Sequence, residues 1–144
     1  EILSGLVGSE MCIRDRVGVL EHPDGTLQAS VPAKLLGTTE SEEGFYDFDS
    51  KYINEGVSAD IPAPLSQELS EEIRERAIEA FRALGAAGLS RVDFFITDET
   101  YYINEVNTFP GFTPISMYPQ VFSAAGVDYA ELLDILIQTA LAHA

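Results

Sequence analysis

The chain has 144 residues, the size of one domain with one hydrophobic core. Hydrophobic residues make up 46% and charged residues 22%, a globular rather than a disordered composition, and no apolar stretch approaches the roughly 20 residues needed to cross a bilayer. Eight Lys and Arg against 24 Asp and Glu leave a net charge of −16. That field repels a nucleic-acid backbone, yet admits an anionic small molecule such as a nucleotide where divalent cations sit between it and the carboxylates. Cys12 is the single cysteine and cannot close an internal disulfide, and nothing at the start reads as a signal peptide. The expected compartment is the cytoplasm, with no membrane or nucleic-acid partner.

Residues 1–16 show no periodicity, and the run from Met11 to Arg16 favours neither helix nor strand. Residues 17–21 and 27–31 are short apolar runs joined by His22, Pro23, Asp24 and Gly25, which predicts a β-hairpin. Residues 37–44 are polar loop. The segment Phe45-Tyr46-Asp47-Phe48-Asp49-Ser50-Lys51-Tyr52 is aromatic yet acidic, and its length points to a functional loop. A helix is predicted from Ser66, with Leu69, Ile73, Ala77, Ala80, Phe81 and Leu84 forming one apolar stripe. Ser66 is its N-cap, Glu68, Glu71 and Glu72 suit its positive end, and Gly85 closes it. A last helix opens on Asp128 with Glu131 in a capping-box-like start.

Between those helices, residues 90–96 and 101–106 alternate like strands, with a polar turn at 97–100. Alternation puts Arg91, Asp93 and Phe95 on one face of the first strand, and Tyr101, Ile103 and Glu105 on one face of the second. If Asp93 lies opposite Glu105, Arg91 falls opposite Asn107. Directly opposed Cβ atoms lie roughly 4.5–5.5 Å apart, so the two carboxylates would repel without a cation. Oxygen donors from Asp, Glu and Asn suit hard ions, and Mg²⁺ takes one or two carboxylates together with phosphates. One reading is a magnesium–nucleotide site with an arginine beside it; the other is a solvent-facing acidic hairpin of accidental parity. Downstream, Gly111 permits close backbone approach and a helix start near Ser116 offers N–H groups to an anion. That juxtaposition favours the site.

Arg91-Val92-Asp93, Asn104-Glu105-Val106-Asn107-Thr108, Pro110-Gly111-Phe112-Thr113 and Ser116-Met117-Tyr118-Pro119, in that order, resemble the C-terminal part of the D-alanine–D-alanine ligase family of ATP-grasp enzymes. Phe45 to Tyr52 resembles that family's mobile loop over ATP. The likeness runs from about residue 17 to the end, without a counterpart of the family's N-terminal substrate domain or of the first half of its ATP-grasp region. It divides the chain into a non-family stretch, 1–16, and a C-terminal ATP-grasp subdomain, 17–144. Residues 8–16 resemble translated sequencing-adapter sequence joined to a truncated reading frame, which re-reading the genomic locus tests.

The resemblance implies an α+β fold, an antiparallel β-sheet with helices packed on one face. It implies ATP-dependent joining of two D-alanines for peptidoglycan synthesis: ATP phosphorylates one D-alanine carboxylate, and the amine of the second displaces phosphate from the acyl phosphate. Asp93, Glu105 and Asn107 would hold two Mg²⁺ ions, with Mn²⁺ as a substitute. Lys51 would reach the γ-phosphate and Tyr52 would lock the loop. Arg91 and the Gly111 N–H would stabilise the oxyanion, and Ser116 with the Met117 N–H would hold the carboxylate of the second D-alanine. The parent is expected to be a homodimer, and this chain alone to have little or no activity. Two alternatives stand beside this: another ATP-grasp carboxylate–amine ligase, and a non-catalytic acidic binding module.

Overall fold

The computed structural model describes residues 13–36, 59–97 and 100–144. Val17, Gly18, Val19 and Leu20 form an uninterrupted apolar run, the pattern of a strand covered on both sides, and they lie in the central strand β1 (Ile13–Glu21). The turn after it closes as its residues dictate. Gly25 takes φ of 81°, and its N–H donates to the His22 carbonyl at 2.8 Å. Asp24 accepts from the Thr26 N–H at 2.9 Å, and β2 (Leu27–Ala29) returns antiparallel with Glu21 opposite Leu27. β3 (Ala33–Leu35) and β4 (Ala59–Asp60) extend the sheet beyond β1 on that same side. On the other side lie β5 (Leu89–Ile96) and then β6 (Tyr101–Asn107). Among the described residues the sheet is antiparallel throughout, in the order β4-β3-β1-β5-β6, with β2 also on β1.

β1 starts upstream of residue 17 and keeps its register with β5 through that point, Arg16 opposite Asp93 and Asp15 opposite Phe94. Residues 13–16 carry no strand signal of their own; pairing with a strong neighbouring strand decides their conformation. The consequence at Asp15 is severe. Its side chain is fully buried, and neither carboxylate oxygen has a hydrogen-bond partner among the described residues. Burial pushes its carboxyl up to about 6, with the positive charge of Lys34 pulling the other way.

Helix α1 (Gln67–Ala83) begins where expected: the Ser66 hydroxyl accepts from the Leu69 N–H at 3.2 Å, and Gly85 follows the helix at φ 61°. Ser66→Ala is therefore expected to cost about 1 kcal/mol, read as a lower urea midpoint at unchanged slope. Ile73, Ala77 and Phe81 of the predicted stripe are buried against Val17, Val19, Val92, Phe94 and Ile96. Helices α2 (Met117–Ala124) and α3 (Tyr129–Ala142, capped by Asp128 accepting from the Glu131 N–H) complete the described set. A second core gathers Tyr118, Val121, Phe122, Val127 and Leu132 around Leu20 and Ala33.

The α+β antiparallel sheet is as expected, but its helices cover both faces rather than one. Val17 and Val19 point to α1, while Gly18 and Leu20, of opposite parity, point to α2 and α3. No described helix is long and apolar enough to cross a membrane.

Candidate functional site

The predicted register of the acidic hairpin is observed. Asp93 lies opposite Glu105 and Arg91 opposite Asn107. Adding β1 gives two rows across three strands: Arg16, Asp93 and Glu105 in one, and Gly18, Arg91 and Asn107 in the next. Parity puts both rows on the face away from α1. One expectation fails beside them. A β-bulge near Asn104 shifts the register so that Phe94 faces Ile103 and Ile96 faces Tyr101. The extra residue reverses parity along β6, so Tyr101 and Ile103 leave the face of Glu105. Tyr101 turns to α1 instead, where its hydroxyl donates to Glu72 at 2.7 Å and its ring meets Phe94 edge-on.

Arginine supplies much of the positive charge that the carboxylate pair demands. Arg91 grips Asp93 with two bonds, Nε to Oδ1 at 2.6 Å and Nη2 to Oδ2 at 3.0 Å, and the same Nη2 lies 3.6 Å from Glu105 Oε1. Arg16 Nε lies 3.2 Å from Asp93 Oδ2. Asp93 is nearly enclosed, its side chain 4% exposed, whereas that of Glu105 is 47% exposed. Asn107 uses its side-chain oxygen to accept from the Phe109 N–H at 3.0 Å, which turns the chain out of β6.

Gly111 lies against Ser116: a Cβ there would stand 3.3 Å from the Ser116 Oγ. Ser116 occupies the N-cap position of α2, but its hydroxyl does not cap the helix. It accepts instead from the Thr113 N–H at 3.0 Å and shares a 2.8 Å bond with the Thr113 hydroxyl. The N–H groups of the first turn, Met117 among them, are thus left without an intrahelical or Ser116 acceptor. Phe112 is held between the rings of Tyr118 and Tyr129, at 5.8 and 5.7 Å. The Tyr118 hydroxyl donates to the Val19 carbonyl at 2.8 Å, tying α2 to β1, and burial pushes that phenol well above its ordinary range.

The structure therefore brings Arg91, Asp93, Glu105 and Asn107 together, and Gly111 with Ser116 and Met117. Lys51 and Tyr52, with the rest of the segment from Phe45, lie outside the described residues. Arg16 was not foreseen, because its segment was set apart. Tyr118 and Tyr129 were not foreseen as anchors, although an aromatic at each of 112, 118 and 129 is a visible signal.

The donor set fits a small hard cation. Asp93, Glu105 and Asn107 offer oxygen alone, and an ionised carboxylate has about four acceptor sites, so Asp93 can serve two guanidinium groups and an ion.

The model for the family described as "D-ala D-ala ligase C-terminus" matches residues 7–138. The D-alanine--D-alanine ligase of Corynebacterium aurimucosum is 83% identical over 127 residues, 88% of this chain and 36% of that protein. The chain thus spans little more than a third of the length of this curated relative. The structure of the D-alanine-D-alanine ligase from Coxiella burnetii is similar with a TM-score of 0.73 at 31% identity, over 90% of this chain and 32% of that one. A D-alanine--D-alanine ligase from Bacillus anthracis complexed with ATP gives 0.69 at 25% identity, over 90% of this chain and 38% of its own. The family match takes in every described strand and runs through α1 and α2 into α3, and the chain belongs to the D-Ala–D-Ala ligase family, to the C-terminal part of that family's enzymes.

Proposed function

We propose that the full-length protein joins two D-alanine molecules at the expense of ATP, and that this chain contributes the wall carrying Asp93, Glu105, Asn107, Arg91 and the α2 N-terminus. The observation that carries this reading is the facing of Asp93 with Glu105 and of Arg91 with Asn107, in a chain of this family. Asp93, Glu105 and Asn107 would hold two Mg²⁺ ions, or Mn²⁺ in their place. When bound, such ions neutralise phosphate oxygens and orient them for in-line transfer.

The protein's own groups do the rest. Arg91 fixes the Asp93 carboxylate through two bonds and presents positive charge beside Glu105. The N–H of Gly111 would join Arg91 at the oxygen that becomes negative when the amine attacks, where one preorganised donor is worth roughly 2.7–4 kcal/mol. Ser116 and the Met117 N–H would receive the carboxylate of the second D-alanine, at a helix end suited to an anion. Lys51 would neutralise the γ-phosphate and Tyr52 would help exclude water, protecting the acyl phosphate from hydrolysis. These two roles rest on the resemblance of their segment alone, as do a homodimeric parent and a cytoplasmic location.

Phosphate release from ATP, followed in a coupled assay, tests the reading. The full-length protein is expected to release phosphate only when D-alanine is present and to form the dipeptide, and Asp93→Asn is expected to lower that rate at least tenfold. The 144-residue chain alone is expected to release little or none, since it spans little more than a third of the length of its curated relative. Full-length protein that forms dipeptide from a different amine with D-alanine excluded would overturn the assignment.

A further inference from the structure

We propose that Tyr129 is a positioning residue that, through Phe112, aims the Ser116 hydroxyl at the carboxylate of the second D-alanine. The proposal rests on the reading of Ser116 as a partner of that carboxylate. Residues 111–115 belong to neither a helix nor a strand, and Gly111, Thr113, Pro114 and Ile115 are exposed. Phe112 alone among them turns inward, where it packs against the core around Leu20. Its ring lies between those of Tyr118 and Tyr129, at 5.8 and 5.7 Å, and is tilted by 39° to each.

The backbone at Phe112 makes the link to the site. One planar peptide group joins Phe112 to Thr113, so its carbonyl and its N–H turn together. The Tyr129 hydroxyl donates to that carbonyl at 3.3 Å, and on the other side the Thr113 N–H donates to Ser116 Oγ at 3.0 Å. A hydroxyl that accepts from an N–H keeps its own proton to donate, here to a carboxylate. Tyr129 is itself fixed from outside the segment. It opens α3, which is seated on the sheet by the buried Leu132 and by the Thr139 hydroxyl, donating to the Glu21 carbonyl at 2.9 Å. The bonds between Thr113 and Ser116 shape the turn from within; Tyr129 ties it to α3.

The test is steady-state dipeptide formation by the full-length protein, with D-alanine and ATP varied separately. Tyr129→Leu, which removes ring and hydroxyl, is expected to raise the KM for D-alanine about tenfold. Its kcat and its KM for ATP are expected to change little, because the carboxylate contact serves substrate and transition state alike. Tyr129→Phe, which keeps the ring, is expected to raise the KM for D-alanine only about threefold. Loss of folded protein lowers kcat and leaves KM where it was, so this split is a readout that a merely structural tyrosine would not give. In a Ser116→Ala background, Tyr129→Leu is expected to add less than about twofold. If Ser116→Ala raises the KM for D-alanine while Tyr129→Leu does not, or if Tyr129→Leu keeps its full effect in that background, the positioning role is refuted and the reading of Ser116 stands. If Ser116→Ala leaves that KM untouched, both fall.

Discussion

Replacing Asp15 by valine is expected to raise the unfolding free energy of the chain at pH 7 by about 3 kcal/mol, a rise in Tm of roughly 10 °C for a chain of this size. Asp15 sits in the central strand, fully buried, on the face that Val17, Val19, Val92 and Phe94 present to α1. In the unfolded chain its carboxyl titrates near its ordinary value of about 3.9; in the fold burial pushes it up to about 6. Between those values the native state holds a proton that the unfolded state has released, so this group makes stability fall as pH rises through the window. Below about pH 4 both states are protonated and the penalty is absent; above about pH 6 it stands in full. Valine removes the charge, suits a strand and fills the site with apolar volume. Asp15→Asn is expected to abolish the pH 4–6 slope while recovering less stability at pH 7, because a buried amide still wants partners. Urea unfolding at pH 4, 5, 6 and 7 measures both effects. A difference between valine variant and unaltered chain that does not change with pH would contradict the burial of a titrating carboxyl there.

What could be read from the residues alone follows from how far apart the deciding partners lie. The caps at Ser66 and Asp128 and the turn at Asp24 and Gly25 depend on neighbours within three residues, and they form as read. The facing of Asp93 with Glu105 needs only a short hairpin and a count of positions, and it too was legible. The bulge near Asn104 was not, because a one-residue shift answers to packing against α1, where Tyr101 finds Phe94, Glu72 and Arg76. Arg16 was hidden for a different reason. Its place opposite Asp93 comes from the pairing of β1 with β5, and nothing in residues 13–16 marks a strand. The two-sided cover of the sheet was written in the unbroken run Val17 to Leu20, a signal whose meaning is clear once Gly18 is seen under Phe122.

That contact supports the second large effect. Phe122→Ala is expected to cost about 3–5 kcal/mol, since the ring is fully buried, packs 4.9 Å from Tyr118 and rests on the bare backbone of Gly18. A Cβ at Gly18 would stand 2.6 Å from Phe122 Cε2 and 3.1 Å from Tyr118 Cε2, so Gly18→Ala alone is expected to cost about 1–3 kcal/mol through overpacking. The two changes share one space. In the double variant the new methyl enters the hole left by the ring, and the combined cost is expected to fall short of the sum by at least about 1 kcal/mol. Additivity within about 0.5 kcal/mol would mean that α2 does not seat on Gly18. The site gives the same seating a second readout. Ser116 and Met117 ride on the first turn of α2, whereas Asp93 and Glu105 are held by the pairing of β5 with β6. Hydrogen exchange in Phe122→Ala is therefore expected to quicken at α2 amides well before those of β5, separating the α2 end that carries Ser116 and Met117 from the rows of Asp93 and Glu105.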